Sequence, residues 1–160
     1  MTEETSAAPS VYVDANPFIY FIEGDESVAK RLKPFFDMVR SRPGAAVTSE
    51  LTLAEVLAKA RPDVRRNYLN LIVWSNLFRL QPVTREILID TSDYRRTSIR
   101  ALPGGRTVMP KLPDAIHVVT AARSRCGACL SADNGLHLPS GMIAYTPGED
   151  GIGELVRRFA

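Results

Sequence analysis

Four acidic residues stand where an apolar segment gives way to a predicted helix or turn. They are Asp14 in VYVDAN, Glu55 in TSELTLAEVL, Asp114 in KLPDAIHVV and Asp133 in CLSADNG. Acids at the carboxyl edge of one parallel sheet would converge where open α/β folds bind their ligands. Several carboxylates cannot all stay ionised close together without protons or a cation, so such a cluster favours oxygen-ligated Mg²⁺ or Mn²⁺. The four acids therefore indicate metal-assisted phosphate chemistry.

Each acid also has an ordinary structural explanation when it is taken alone. Asp14 could cap the following helix, Glu55 could lie on a helix surface, Asp114 could favour a helix amino terminus, and Asp133 could belong to a turn. The set is more informative than its members. Asp14 and Asp133 directly follow strands, and the other two open or nearly open helices. Independent capping does not require that coincidence.

Strands and helices alternate along the sequence, and this alternation would position the acids. Short apolar strands are predicted at VYV, AAVTS, FRLQPV, ACLSA and MIAY, and amphipathic segments separate most of them. Asn16 is predicted to cap the first helix, while Ser49 and Thr84 are predicted to cap later ones. The pattern predicts an α/β fold with three layers, α/β/α, and a mainly parallel central sheet.

The segment around Asp114 has its own set of predicted boundaries. A helix is predicted over residues 84–102, followed by the loop PGGRTVMPKLP, whose glycines and prolines argue against regular structure. The next helix is predicted to begin at Pro113 and Asp114 and to end at Gly127, a residue type suited to a helix carboxyl terminus.

Composition indicates one compact domain. The chain has 160 residues, of which 45% are hydrophobic, so we expect a flexible tail at 1–10 and a single domain at 11–160. No apolar run approaches the roughly 20 residues that span a bilayer, and the first ten residues lack a signal-peptide pattern, so a cytoplasmic location is expected. The net charge of +2 does not imply nucleic acid by itself. Acids in the centre with arginines around them are compatible with binding a polyanion through a metal.

Basic residues shortly before Asp114 are candidates for phosphate contacts. Arg100, Arg106 and Lys111 lie in this stretch. Charge on a helix or loop is more often a solvated face than a binding site, so both interpretations stay open.

Histidine, cysteine and aromatic side chains give weaker patterns. His117 lies in an otherwise apolar helix and is expected to be packed or hydrogen-bonded rather than catalytic. Cys126 and Cys129 lack the further ligands of a zinc site and are expected to be structural and reduced. Three aromatic residues are expected to pack in the core or in a dimer rather than to stack on bases: Tyr68, Trp74 and Phe78.

Four sequence blocks, in order, resemble the PIN-domain ribonucleases, and among them most closely the VapC-like toxins of toxin–antitoxin pairs. The blocks are VYVDANPFIYFIE, TSELTLAEVLAKA, LPDAIHVVTAA and CLSADNGL, and the resemblance covers residues 11–145. It implies a PIN-like fold and an RNA-cleaving site. In that site Asp14, Glu55, Asp114 and Asp133 would be catalytic and bind Mg²⁺ or Mn²⁺. The resemblance also implies that Asn16 and Ser131 support these acids or position the substrate.

The resemblance further implies an endoribonuclease toxin that cleaves structured RNA, such as transfer or ribosomal RNA. A small cognate antitoxin would neutralise it. A homodimer is implied too, and the apolar helices between Asp63 and Leu102 could form its interface. The residues themselves make Asp14, Asp114 and Asp133 the expected direct ligands of the ion, whereas Glu55 would either ligate a second ion or orient the attacking water.

Two other functions are compatible with parts of the pattern. A non-catalytic PIN module that binds RNA or protein would be favoured by loss of an acid, but all four are present. An α/β phosphatase with Asp14 as nucleophile would need a second aspartate where Asn16 stands, together with a suitable lysine block, so the sequence disfavours it.

Overall fold

Five short parallel strands form the central sheet of the protein, in a computed structural model that describes residues 9–133 and 135–160. The strands in chain order are β1 (Val11–Val13), β2 (Ala46–Ser49), β3 (Phe78–Gln81), β4 (Arg100–Ala101), β5 (Thr107–Val108), β6 (Ala128–Leu130) and β7 (Ile143–Tyr145). The five-stranded sheet has the order β3-β2-β1-β6-β7, and β4 pairs with β5 in a separate hairpin. All four strand pairings of the larger sheet are parallel, as the sequence predicts.

Helices cover both faces of this sheet. They are α1 (Ala15–Glu23), α2 (Glu26–Ser41), α3 (Glu50–Lys59), α4 (Pro62–Leu69), α5 (Arg85–Thr97), α6 (Leu112–Arg123) and α7 (Glu149–Phe159), and a π-helical segment, Asn70–Trp74, continues α4. Strand alternation assigns the faces, because successive side chains point to opposite sides. Val11 and Val13 pack in the core with α1, α2 and α7, whereas Tyr12 packs with Ala121 of α6. The predicted three-layer α/β/α fold is confirmed.

Phe36 of α2 is the centre of an aromatic cluster in the larger core. Its ring stacks on Phe21 of α1 at a centroid distance of 4.1 Å. It also meets Phe35, Phe78 and Phe18 in edge-on or tilted arrangements at 5.3, 6.2 and 5.9 Å. Such pairs add to the free energy that burial of the rings already supplies. The cluster therefore connects α1, α2 and β3 on one face of the sheet.

The segment between α5 and α6 departs from its prediction. Helix α5 ends at Thr97 rather than at residue 102, and β4 and β5 form an antiparallel hairpin where an irregular loop was expected. Gly104 and Gly105 have φ angles of +88° and +80°, a left-handed conformation that suits glycine and lets the chain reverse. The prediction was wrong because two adjacent glycines also mark a hairpin turn.

The end of α6 differs from its prediction as well. The helix ends at Arg123 with Ser124 as its cap, not at Gly127. The left-handed residue that follows is Arg125, with φ of +54°, and the amide of Cys126 donates to the carbonyl of Ala121 at 3.1 Å. A non-glycine residue therefore makes the turn that leads into β6.

The predicted tail lies mostly outside the described residues, since nothing before Pro9 is described. Ser10, the last residue of that predicted tail, is buried. Its carbonyl accepts a hydrogen bond from the Gly127 amide at 2.9 Å, and its hydroxyl donates to the sulfur of Cys126. Ordered packing therefore extends to Ser10, directly before β1.

Truncation of the central aromatic ring tests this core. We expect Phe36→Ala to lower the free energy of unfolding by about 3–5 kcal/mol, because it removes a buried ring and leaves a cavity. Urea unfolding followed by circular dichroism measures the change. Leu112→Ala is the control, since that residue is 48% exposed at the start of α6 and its truncation should change stability by at most about 0.5 kcal/mol. Equal losses in both variants would contradict the central role of Phe36.

Candidate active site

The four acids singled out in the sequence come from four places at the carboxyl edge of the sheet. Asp14 directly follows β1, and Asp133 lies just beyond β6. Glu55 lies in α3, the helix that follows β2, and Asp114 lies in the first turn of α6. Strands β1 and β6 are neighbours, and the chain builds the sheet outward from them in opposite directions. This is the switch point at which open parallel sheets bind their ligands.

Asp14 is a buried carboxylate held by two hydrogen bonds. The side chain is 8% exposed; its Oδ1 accepts from the Asn16 amide at 3.3 Å, and its Oδ2 accepts from the Ser131 hydroxyl. Burial raises the pKa of Asp14 to about 6, although both hydrogen bonds favour the ionised form. Asp14 is also the N-cap of α1, so the prediction that Asn16 caps this helix was wrong. Asn16 contacts the acid through its backbone amide.

Ser131 connects two of the acids. Its buried hydroxyl donates to Asp14 and accepts from the Asp133 amide at 3.0 Å. Asp133 Oδ1 in turn accepts from the Gly135 amide at 2.8 Å, so this carboxylate folds over its own turn. The loop after β6 is therefore tied to the end of β1 by one side chain.

Asp114 lies within the electrostatic influence of the other acids. Burial is the first cause that raises its pKa, followed by the Asp133 carboxylate and, more weakly, by Glu55. His117 and Lys111 act in the opposite direction. Glu55 also raises the pKa of Asp14. The four acids therefore form one electrostatically coupled group, which a cation would stabilise.

The residues fit a divalent cation by donor chemistry. All four side chains offer carboxylate oxygens, the ligands that Mg²⁺ and Mn²⁺ prefer. Within residues 9–133 and 135–160, no three His, Cys, Asp or Glu side chains lie close enough together to surround one ion. The acids therefore lie at the same edge of the sheet and influence one another's pKa values. Side-chain movement would be needed to bring three of them around one ion.

Glu55 has a partner that the sequence did not reveal. Its Oε1 lies at hydrogen-bonding distance from Nε2 of His117, 2.5 Å, and Nδ1 of the same ring lies 2.6 Å from the Tyr12 hydroxyl. The expectation that His117 would be packed or hydrogen-bonded agrees with this placement. A signal was present, because His117 follows Asp114 by three residues and so shares its helix face.

A cavity of about 190 Å³ opens beside Asp114 and Asp133. Arg100 and Lys111 also line it, so cationic and acidic side chains share one opening. Arg106 is exposed on the same hairpin but is not among the lining residues. Of the three basic residues proposed for phosphate contacts, Arg100 and Lys111 therefore line the same cavity as Asp114 and Asp133.

The cysteines and most of the singled-out aromatics lie in the protein interior. Cys126 and Cys129 are buried and free, and burial raises the pKa of both thiols. Tyr68 and Phe78 are buried in the larger core. Trp74, in contrast, is 57% exposed at the end of the π-helical segment.

The fold and the edge of coupled acids define a class of α/β proteins with a carboxylate site at the switch point of a parallel sheet. A family model described as "PIN domain" matches residues 11–139, which is most of the chain. The chain belongs to the PIN domain family. No curated protein matches it significantly.

Two solved structures share the fold at low sequence identity. One is a toxin–antitoxin complex from Klebsiella pneumoniae, with a TM-score of 0.60 and 20% identity over 88% of this chain and 99% of that chain. The other is VapC20 of Mycobacterium tuberculosis, described as a sarcin–ricin loop cleaving toxin, with a TM-score of 0.58 and 14% identity over 79% of this chain and 92% of that chain.

The raised pKa of Asp14 predicts how the stability of the metal-free protein depends on pH. A carboxyl group with a folded pKa of about 6 and a reference value of 3.8 contributes stability that is fully present below 3.8 and lost as pH rises through about 6. In chelator, we expect stability to rise by about 1 kcal/mol from pH 7.5 to pH 5. Urea unfolding at the two pH values measures it.

Two substitutions separate Asp14 from other acids in this measurement. Asp14→Asn should be more stable than wild type at pH 7.5 and should lose most of the pH dependence. Asp37→Asn is the control, because that exposed carboxylate has a lowered pKa and titrates below this window. An unchanged pH dependence in Asp14→Asn would contradict the raised pKa.

Proposed function

We propose that the protein is a metal-dependent endoribonuclease and the toxin of a toxin–antitoxin pair. The observation that carries this proposal is the coupled set of acids at the β1–β6 edge, in a chain of the PIN domain family. Burial raises the pKa of Asp14 to about 6, so its ionised carboxylate is destabilised in the folded protein, and a divalent cation would stabilise it. The cations of the adjacent cavity supply complementary charge for a phosphodiester backbone.

Each side chain has a distinct proposed role. Asp14, Asp114 and Asp133 would hold Mg²⁺ or Mn²⁺, and Glu55 would ligate a second ion or orient the attacking water. The ion, when bound, supplies Lewis-acid activation of water and charge stabilisation at the phosphate. Two other residues act on the acids: the Ser131 hydroxyl donates to Asp14 and accepts from the Asp133 amide, and the Asn16 backbone amide donates to Asp14.

Structured cellular RNA is the proposed substrate class, with transfer or ribosomal RNA as the first candidates. Support comes from the likeness in fold to VapC20, whose description names sarcin–ricin loop cleavage. Arg100 and Lys111 would contact phosphates next to the acids, because both line the cavity that contains Asp114.

A small cognate antitoxin and a second copy of the chain are the proposed partners. The likeness in fold to a toxin–antitoxin complex supports the first. Large apolar side chains exposed between Asp63 and Leu102 support the second: Trp74, Leu88, Ile89 and Ile99.

Over the described ranges 9–133 and 135–160, no helix has both the length and the apolarity for a membrane crossing. A cytoplasmic location is part of the proposal.

One observation favours the alternative of a non-catalytic RNA- or protein-binding PIN module. In the part of the chain that the structure describes, three potential metal ligands do not meet at one point. RNA binding without cleavage, in the presence of Mg²⁺ or Mn²⁺, is the result that would favour this alternative.

Substitution of the acids tests the proposed reaction. Purified wild-type protein should cleave cellular RNA with Mg²⁺ or Mn²⁺ and lose this activity in chelator. Asp14→Asn and Asp114→Asn should each lower the rate by more than about 100-fold, since loss of a residue that merely supports a ligand costs about 10- to 100-fold. The rate is measured on labelled RNA fragments. Asp37→Asn is the charge-matched control on α2, and cleavage that survives both acid substitutions would contradict the proposed site.

Substitution of the cations tests the proposed path of the RNA. Arg100→Ala and Lys111→Ala should raise KM and each reduce the dependence of log Kd on log salt concentration by about 1, because each removes one phosphate contact. Arg106→Ala is the matched control, since it lies on the same hairpin outside the cavity, and it should have a smaller effect. Titrations of catalytically inactive Asp114→Asn protein with labelled RNA measure Kd. Equal effects of all three would assign the binding to general surface charge.

A further inference from the structure

A hydrogen-bonded chain of three side chains, two of them buried, runs from the centre of the sheet to the acidic edge. Tyr12 of β1 is fully buried, His117 of α6 is 4% exposed, and Glu55 of α3 has a side chain that is 32% exposed. The Tyr12 hydroxyl lies 2.6 Å from Nδ1 of His117, and Nε2 of His117 lies 2.5 Å from Oε1 of Glu55. The chain therefore begins in the interior and ends at an acid of the candidate site.

Donor and acceptor roles in this chain follow from the chemistry of its ends. When Glu55 is ionised it can only accept, so the matching tautomer of His117 is the one that carries its proton on Nε2. In that neutral tautomer Nδ1 is an acceptor, and the Tyr12 hydroxyl is its donor. Both ring nitrogens are satisfied, and the imidazole has a single preferred orientation.

The same elements supply the acids and the chain. Tyr12 of β1 precedes Asp14, the residue directly after this strand, by two residues, and His117 follows Asp114 by three residues on α6. The extended backbone at Asp14 continues the strand's alternation, and a spacing of three shares a helix face, so each pair lies on one side of its segment. Glu55, in contrast, comes from α3. Its hydrogen bond to His117 therefore connects α3 to the two elements that carry Asp14 and Asp114.

We propose that His117 is a positioning residue that holds the Glu55 carboxylate toward Asp14 and Asp114, with Tyr12 fixing the orientation of the imidazole. A histidine that served only to fill the core would be satisfied by interior partners. Here one ring nitrogen faces the interior, while the other binds a carboxylate that water can reach. This inference rests on the proposed function, in which Glu55 belongs to the metal site.

A double-mutant cycle tests the inference. The four proteins are wild type, His117→Leu, Glu55→Gln and the double variant. Each is measured for Mn²⁺ dissociation constant, by electron paramagnetic resonance of the free ion, and for the rate of RNA cleavage. We expect His117→Leu to weaken Mn²⁺ binding or slow cleavage by about 10- to 100-fold. We expect it to add nothing in the Glu55→Gln background, because its effect passes through Glu55.

Three further variants separate positioning from loss of folding. His117→Gln, whose amide can donate to Glu55, should keep most of the wild-type Mn²⁺ affinity and cleavage rate. Tyr12→Phe removes only the hydroxyl behind the ring and should give a smaller loss that also vanishes in the Glu55→Gln background. Thr120→Val is the control on the same helix: it removes a buried hydroxyl that donates to the Ile116 carbonyl and should leave Mn²⁺ affinity and cleavage unchanged.

The outcomes distinguish this inference from the proposed function. Effects of His117→Leu and Glu55→Gln that multiply in both measurements would overturn the inference, even in an active ribonuclease. Wild-type protein that binds Mn²⁺ but cleaves no RNA would overturn the proposed reaction, and the Mn²⁺ cycle would then decide the inference alone. Wild-type protein that neither binds Mn²⁺ nor cleaves RNA would overturn both.

Discussion

Burial of the Asp14 carboxylate between β1 and β6 is the constraint on which the rest of the site depends. Removing a carboxylate from water costs free energy, and the two hydrogen bonds from Ser131 and Asn16 offset only part of that cost, since the pKa remains raised to about 6. Burial also raises the pKa of Asp114, and the Asp133 carboxylate adds to this effect. The uncompensated charge at this edge is the physical reason to expect a cation there. The same charge makes the metal-free protein sensitive to pH.

The sheet and the site are stabilised by some of the same side chains. Ser131 follows β6 yet binds Asp14 after β1, and Thr48 of β2 donates to the carbonyl of Val13 at 2.7 Å. These bonds fasten the carboxyl ends of three adjacent strands to one another. Helix α6 carries both Asp114 and His117. The packing of this one helix therefore sets the position of one acid and of the residue that contacts Glu55. Changes in that packing would reach the acids directly.

Local chemistry explains which parts of the fold could be predicted. Ser49 and Thr84 were predicted as helix caps, and their hydroxyls accept from the amides of Leu51 and Ile87. Strands β1, β2 and β6 were found where short apolar runs predicted them, because these three runs are buried on both faces. Predictions failed where one residue type serves two structures. Gly104 and Gly105 were interpreted as breakers of regular structure, and they form the turn of a hairpin.

By itself, the sequence determined the α/β class and the parallel sheet, and it singled out two acids after strands and two in helices, because alternation of apolar segments and capping residues are signals local to the chain. Only the tertiary structure decided which side chains meet. Ser131 binds Asp14 across 117 positions of sequence, and His117 binds Glu55 across 62. Arg100 and Lys111 line the acidic cavity, while Arg106 does not. Such contacts depend on how strands order and helices pack, and neither spacing nor residue type specifies a partner so far away along the chain.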